Sequence, residues 1–433
     1  MSLITKAHRA RSGYVMVAAI VAVAFVLSIV AAPAQAGDWK GKVETVEGVK
    51  YVKNPAAPMQ GPATVEMEAL WELGGDTEDE DQFFGVISDI HIDGEGNVYL
   101  LDAQLSEVKI FTADGEFLRT IGREGEGPGE FRRPSRMFFT KEGNIGVMQT
   151  IPAKIVLLSP DGDPIGDHPL PEPEDGGFQL LTSGQASKGQ LVLAMARTKL
   201  AEDQSSWART DFLVRVDSEG NQLTEYASKT TTINFADAVL NFAEWDTFER
   251  RWTVAPDGKV YACESYPDYV ITVWNADGSV DKKITREYKH RAHTPDEKTF
   301  MTKMMEHFAQ QIPNCRVQVE NNAKDIESFY IRDDGSIWVL SSDGSHDYPD
   351  DAVGVFDVYN KEGQFVKAVT LNGDGDAQDD YYLFVKDRFY VVTDFLQAAM
   401  VAQGATGLYD EEEEAEPMAV RCYKLEGDLL SAR

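Results

Sequence analysis

Carboxylates and guanidiniums carry the chemistry that stands out in this sequence. Asp102, Glu264 and Asp394 each close a short apolar run, in VYLLD, VYACE and FYVVTD. Arg132, Arg133 and Arg136 follow a glycine-rich segment, and Arg250 and Arg251 form a second basic pair. Guanidiniums facing carboxylates are equipped to hold a small polar ligand through paired, charge-assisted hydrogen bonds. The same residues read equally as inter-sheet ion pairs and turn-capping acids, which individually contribute little. His91, in SDIHID, is a candidate to line a channel together with Asp89 and a minor candidate for a catalytic or metal-binding role, an idle structural histidine being the first expectation. The run NGDGDAQDD from Asn372 places Asn372, Asp374 and Asp376 at the alternate spacing of a calcium loop. Ala377 stands where such a loop wants Gly, and Leu383 where it needs a bidentate Glu, so a solvated acidic loop is the first expectation there and calcium the second.

Other chemistries are excluded or left without support. His290, His293 and His307 match no closed zinc pattern. Gly125, Gly127 and Gly129 lead into Phe-Arg-Arg-Pro rather than a helix N-terminus, so they make no phosphate cradle. No GxSxG or HExxH motif occurs. With 72 acidic against 41 basic residues the net charge is −31, a field that repels nucleic acid and anionic lipid headgroups. Cys263, Cys315 and Cys422 form no even-numbered framework and are expected to be structural thiols, leaving stability to buried apolar surface.

The elements that must position these residues begin after a leader. Lys6, Arg9 and Arg11 precede an apolar run from Tyr14 to about Ala32, and Ala34-Gln35-Ala36 follows. That is the layout of a secretory signal peptide over residues 1–36, which implies a periplasmic or extracellular protein with no membrane insertion after cleavage. An uncleaved N-terminal anchor is the alternative, since the apolar run approaches spanning length.

Beyond it one phrase recurs: an apolar strand, a Gly turn, an alternating strand, a loop, another alternating strand and a second Gly turn. Unit one reads DGEGNVYLLD from Asp93 and VKIFTADGEFLRTIG from Val108; unit two reads KEGNIGVMQT from Lys141 and KIVLLSPDGDPIGDHPL from Lys154. Units three to six follow from Ser187, Pro256, Asp333 and Lys386. Each copy is a small antiparallel sheet whose DG, EG or KG turns supply the positive φ that tight hairpins need. Gly96 and Gly143 lie 47 residues apart, the period of a four-stranded propeller blade. The expected fold is all-β, a six-bladed β-propeller over residues 63–433 behind an N-terminal extension at 37–62. VEMEALWELGG from Val65 stands before the first unit and is expected to supply the strand that completes the last blade, closing the ring.

The linker GREGEGPGEF, with IFTADGEFLRTIG before it and Pro134 after, resembles the inter-blade signature of NHL-type repeats. From about Val65 to Leu430 the arrangement resembles the bacterial six-bladed β-propeller family related to the TolB-like propellers. The resemblance implies the fold and an exported setting. It implies no single activity, because related propellers include ligand binders, interaction platforms, lactonases and lyases.

Five insertions, at Thr198–Thr210, Thr230–Glu249, Lys289–Lys324, Asp343–Ala352 and Phe395–Met418, all fall in connections that share one rim. Loops on a rigid scaffold are where binding concentrates, so this rim is the expected working face. Within it TPDEKTFMTKMMEHFAQQI, about residues 294–312, has an N-cap Thr, a first-turn Pro and an apolar stripe at Phe300, Met304 and Phe308, which predicts a helix after blade 4. The run Glu411–Glu414 reads as a solvated loop. The functional expectation is a monomeric, non-enzymatic scaffold without a cofactor that binds a protein partner or a small polar ligand on this face. The alternative is a metal-assisted hydrolase or lyase at the channel mouth.

Overall fold

The structure, a computed structural model, describes residues 38–173, 176–245, 248, 251–405, 408 and 417–425. The leader, Arg250 and the run Glu411–Glu414 lie outside these residues.

Two-sided apolar strands dictate the architecture. In Val98–Asp102, Val98 and Leu100 pack into one apolar cluster while Tyr99 and Leu101 pack into another. A strand buried on both faces must stand between two other sheets. Six antiparallel sheets result, with innermost strands Ile87–Ile92, Pro134–Phe139, Phe178–Ser187, Trp252–Val254, Ile326–Ile331 and Tyr381–Val385. Each gap between neighbouring blades is filled by its own apolar cluster. Between blades 5 and 6, Trp338, Phe356 and Phe389 are completely buried, each worth about 1.5–3 kcal/mol for removal from water. At Gly115, φ +84 is a backbone that a side chain would strain, and a Trp71 ring atom lies 3.1 Å from where a Cβ would sit.

The ring closes as the sequence predicts, but the closing segment is divided. Glu68–Gly74 pairs antiparallel with Ala419–Lys424 as the outer strand of blade 6, with Leu73 opposite Val420. Ala63–Glu66 instead pairs in parallel with the outer strand of blade 5, Phe365–Asn372. The extension before it is also structured: Lys42–Val46 and Val49–Asn54 form a hairpin added to the outer edge of blade 4, parallel to Val280–Arg286. Residues 42–74 thus lace blades 4, 5 and 6 together. Asn54, 3% exposed, ties the first two. Its amide donates to the carbonyls of Thr285 at 3.0 Å and Gly363 at 2.9 Å, and its Oδ1 accepts from Phe365 N at 2.8 Å and Trp39 Nε1 at 2.9 Å.

The insertions are more ordered than loops. Thr198–Thr210 is mostly strand, because Gln190–Leu200 and Ser206–Val216 extend past the other blades and remain paired. Val239–Asn241 pairs in parallel with Arg316–Gln318, so two insertions share a small sheet. On it rests the helix Pro295–Ala309, begun by a reciprocal capping box between Thr294 and Glu297. Its fully buried positions are Met305 and Ala309, with Met304 and Phe308 beside them. A shorter helix, Phe395–Ala402, stands in the blade 6 insertion. Among the described residues no helix is long and apolar enough to cross a membrane. The three cysteines are unpaired, and burial pushes the Cys422 thiol up to about 11.

Candidate functional site

Inner strands of all six blades line one cavity of 1690 Å³. That exceeds the roughly 300–1,000 Å³ that encloses most small ligands. The insertions make it apolar: Phe242, Trp245, Phe300 and Met304 come from those around blade 4, and Phe395, Leu396, Ala399 and Met400 from the blade 6 helix. Methionine side chains are flexible and polarizable, which suits a surface that adapts to its occupant.

Charged groups stand between these apolar parts, most of them paired. The Asp89 carboxylate, nearly fully buried, accepts Met137 N–H at 2.9 Å and lies 3.3 Å from His91 Nε2. Burial pushes this carboxyl up, but His91, Arg136 and the Met137 N–H outweigh it and hold the group below its ordinary range. Arg136 donates to the Ser88 carbonyl and stacks 5.3 Å above the Tyr381 ring, so three blades meet at this cluster. Asp211, 4% exposed, takes two Arg209 Nε contacts at 3.0 Å and one Nη2 contact at 2.7 Å, with the guanidinium 4.4 Å over Trp245. Glu297 receives Arg291 at 2.6 and 2.8 Å and His346 Nε2 at 2.6 Å. Burial raises its carboxyl, but Arg291, the Thr294 N–H and His346 hold it far below the usual carboxylate range.

The residues singled out from sequence separate into two groups. His91, Arg133 and Arg136 line the cavity. Arg133 does so from a left-handed backbone, φ 43, with its N–H on Ser106 Oγ at 3.1 Å. Asp102 does not: it is completely buried and accepts four backbone N–H groups, from Gly85 at 2.7, Val86 at 3.2, Gln104 at 2.9 and Leu105 at 2.8 Å. That capping role replaces the ligand contact expected of it. Arg132 is exposed and pairs with Glu126 at 2.7 Å. Arg251 is buried, with Nη1 on the Ser265 carbonyl at 3.2 Å. Glu264 is exposed and accepts the Thr272 hydroxyl at 2.7 Å. None of these three lies on the cavity. Asp394 is the N-cap residue of the Phe395–Ala402 helix, and its N–H donates to Asp380 Oδ1 at 3.0 Å. Asp374 pairs with Arg421 at 3.1 Å, and Asp376 accepts Gln378 N–H at 2.8 Å. Among the described residues no three His, Cys, Asp or Glu side chains are grouped to hold a metal ion.

Sequence reasoning missed Asp211, Arg209, Glu297, Arg291, Asp379 and Asp380. A signal existed for the first pair: two residues apart on a strand, they share a face. None marked the others as neighbours of a cavity, because three insertions must fold before they meet.

Six blades around one central cavity, with the ring closed by the chain's own N-terminal strand, define a closed six-bladed propeller. The chain belongs to DUF5128, the 6-bladed beta-propeller family, whose model matches residues 76–333. No curated protein matches it. Solved structures similar to it include a member of the DUF4221 family from Bacteroides vulgatus, at 10% identity and TM-score 0.47 over 84% of this chain and 98% of that one. Regucalcin from Agrobacterium tumefaciens, a calcium-binding protein, is 11% identical with TM-score 0.44, over 84% and 97%. Virginiamycin B lyase from Staphylococcus aureus is 11% identical with TM-score 0.36, over 82% and 99%. At such identities the likeness concerns the fold alone.

Proposed function

We propose that this chain is an exported, non-enzymatic propeller that binds a small molecule in its central cavity, entering from the rim that carries the insertions. The supporting observation is the cavity itself, lined by every blade and overhung by apolar side chains from separate insertions. Apolar surface held beside water favours an occupant that covers it, and the placed polar groups orient that occupant. Export rests on the leader's three-part sequence.

Dodecanol, an uncharged apolar probe, tests this reading when titrated into the protein purified from the envelope of an expressing cell. Binding should quench the fluorescence of Trp245 and raise the melting temperature. Met400→Asp, which puts a charge on the apolar wall of the cavity, should weaken both effects by at least about tenfold. Equal binding by this variant would place the probe elsewhere and reject the cavity as the site.

A further inference from the structure

The blade 6 side of the cavity differs from the rest in its charge balance. Asp89 lies under the charge of Arg136, Asp211 pairs with Arg209 and Glu297 with Arg291. Asp376, Asp379 and Asp380 have no such cation: among the described residues no Lys, Arg or His forms an ion pair with them, and the groups acting on Asp379 and Asp380 include no cation. The fold nevertheless fixes two of these carboxylates by backbone hydrogen bonds. Asp380 Oδ2 accepts Asp376 N–H at 2.7 Å and Oδ1 accepts Asp394 N–H at 3.0 Å, while Asp379 Oδ1 accepts Gln397 N–H at 3.2 Å. The Asp376–Asp380 segment is thereby fastened to the start of the Phe395–Ala402 helix, with Asp379 and Asp380 on the cavity wall.

A second observation comes from a neighbouring side chain. Tyr382 is 2% exposed, and among the described residues its hydroxyl has no hydrogen-bond partner. It faces the flank of Gly375 that Asp380 also faces: a Cβ on Gly375 would lie 3.1 Å from Asp380 Oδ2 and 3.2 Å from the Tyr382 oxygen. Buried hydroxyls are nearly always satisfied, so this one points to a group that the protein does not itself supply. The surroundings suit a cation. Tyr381 and Phe395, with ring centroids 5.1 Å apart, border the carboxylates, and Leu396, Ala399 and Met400 continue along the cavity wall. Arg136, over the Tyr381 ring, already serves Asp89 and the Ser88 carbonyl.

We infer that this end of the cavity binds the protonated primary amine of a cationic amphiphile, whose apolar chain lies along the Phe395–Ala402 helix. The inference rests on the proposed cavity binding and names its ligand class. A primary ammonium offers three N–H donors and a full charge, which suit the Asp380 carboxylate and the neighbouring Tyr382 hydroxyl, with Asp379 adding negative charge on the same cavity wall. Anionic amphiphiles are rejected by the same carboxylates and by the chain's net charge of −31.

Isothermal titration of the full-length protein at pH 8 with dodecylammonium, dodecanol and dodecanoate, each below its micellar concentration, tests the assignment. Dodecylammonium should bind at least about tenfold more tightly than dodecanol, a difference of about 1.4 kcal/mol, and dodecanoate more weakly than either. Asp380→Asn should remove the amine's advantage while leaving dodecanol binding intact, which also shows that the variant is folded. Tyr382→Phe should weaken the amine alone. Equal affinity for amine and alcohol would overturn the cationic assignment and leave the cavity reading standing; failure of all three probes would overturn both. Preferential binding of calcium chloride over the amine would assign the carboxylates to a metal ion and overturn the inference.

Discussion

Replacing Asp380 by Asn should flatten the protein's stability between pH 5 and pH 8. Burial is the chief cause that lifts this carboxyl from 3.8 to about 7; the Asp376 and Asp394 N–H groups oppose it, and the charges of the same two residues reinforce it. The other titratable groups facing it, Tyr348 and Tyr382, stay neutral over this range, since burial raises both. In the unfolded chain the carboxyl returns to its ordinary value. The folded state therefore holds a proton that the unfolded state has released, across the window between the two values. The stabilisation is fully present below about pH 4 and is lost as pH rises through 7. From pH 5 to pH 7 the loss covers roughly two pH units at about 1.36 kcal/mol each, or about 3 kcal/mol. With an unfolding entropy of about 2.1 cal/mol/K per residue, a ring of this length shifts by about 3 °C. Asn carries no charge at any pH, but it accepts on one atom where Asp accepts on two. One backbone N–H then faces an amide donor, at a pH-independent cost of about 1–3 kcal/mol. The variant should melt below wild type at pH 5, and the gap should shift in its favour by about 3 °C at pH 8. Scanning calorimetry of both proteins at four pH values and one ionic strength measures it. Parallel curves would refute the argument that burial keeps this proton bound.

Other perturbations test the lacing and the paired charges. Leu73→Ala, in the closing strand between blades 6 and 1, should cost about 2–5 kcal/mol in denaturant unfolding, as a cavity in a buried core does. Asn54→Ala strands carbonyls on two blades and the Phe365 N–H, and should cost about 2–4 kcal/mol by the same measurement. Arg209→Ala leaves Asp211 buried without its cation, at about 3–5 kcal/mol, and adding Asp211→Asn should restore part of the loss. At pH 8 iodoacetamide should label Cys315 in the folded protein, slowly because burial raises its thiol, and spare Cys263 and Cys422; intact-mass spectra before and after denaturation would count the labels.

The blades were legible because their signal is local and repeated. An inner strand such as VYLLD is apolar at consecutive positions only if both faces are covered, and its neighbouring Gly turn fixes the hairpin. The strap at 42–54 carries only the turn part of that signal, an EG turn at Glu47 and Gly48, both at positive φ, since its valines at 43, 46, 49 and 52 do not alternate. It read as an extension because nothing local says that a strand standing before the first repeat will add in parallel to the fourth blade. That outcome depends on single long-range bonds, above all those of Asn54. Asp102 shows the same limit at a candidate site. Its contacts with Gln104 and Leu105 are local and recognisable as a turn cap, but those with Gly85 and Val86 cross a hairpin and complete its burial. Only the second pair decides against a ligand role. The acids of Asn372–Asp380 invert the case: their density was visible, and a metal loop was the natural chemistry to weigh. What no spacing shows is that the Phe395–Ala402 helix folds back to put Leu396 N–H on the Asp379 carbonyl, burying two carboxylates without bringing a cation along. A propeller's repeats determine its walls and some of the charges on them, as at Asp89 and Arg136, whereas the burial of the blade 6 carboxylates is set by the insertion that covers them. The functional question therefore turns on the blade 6 insertion.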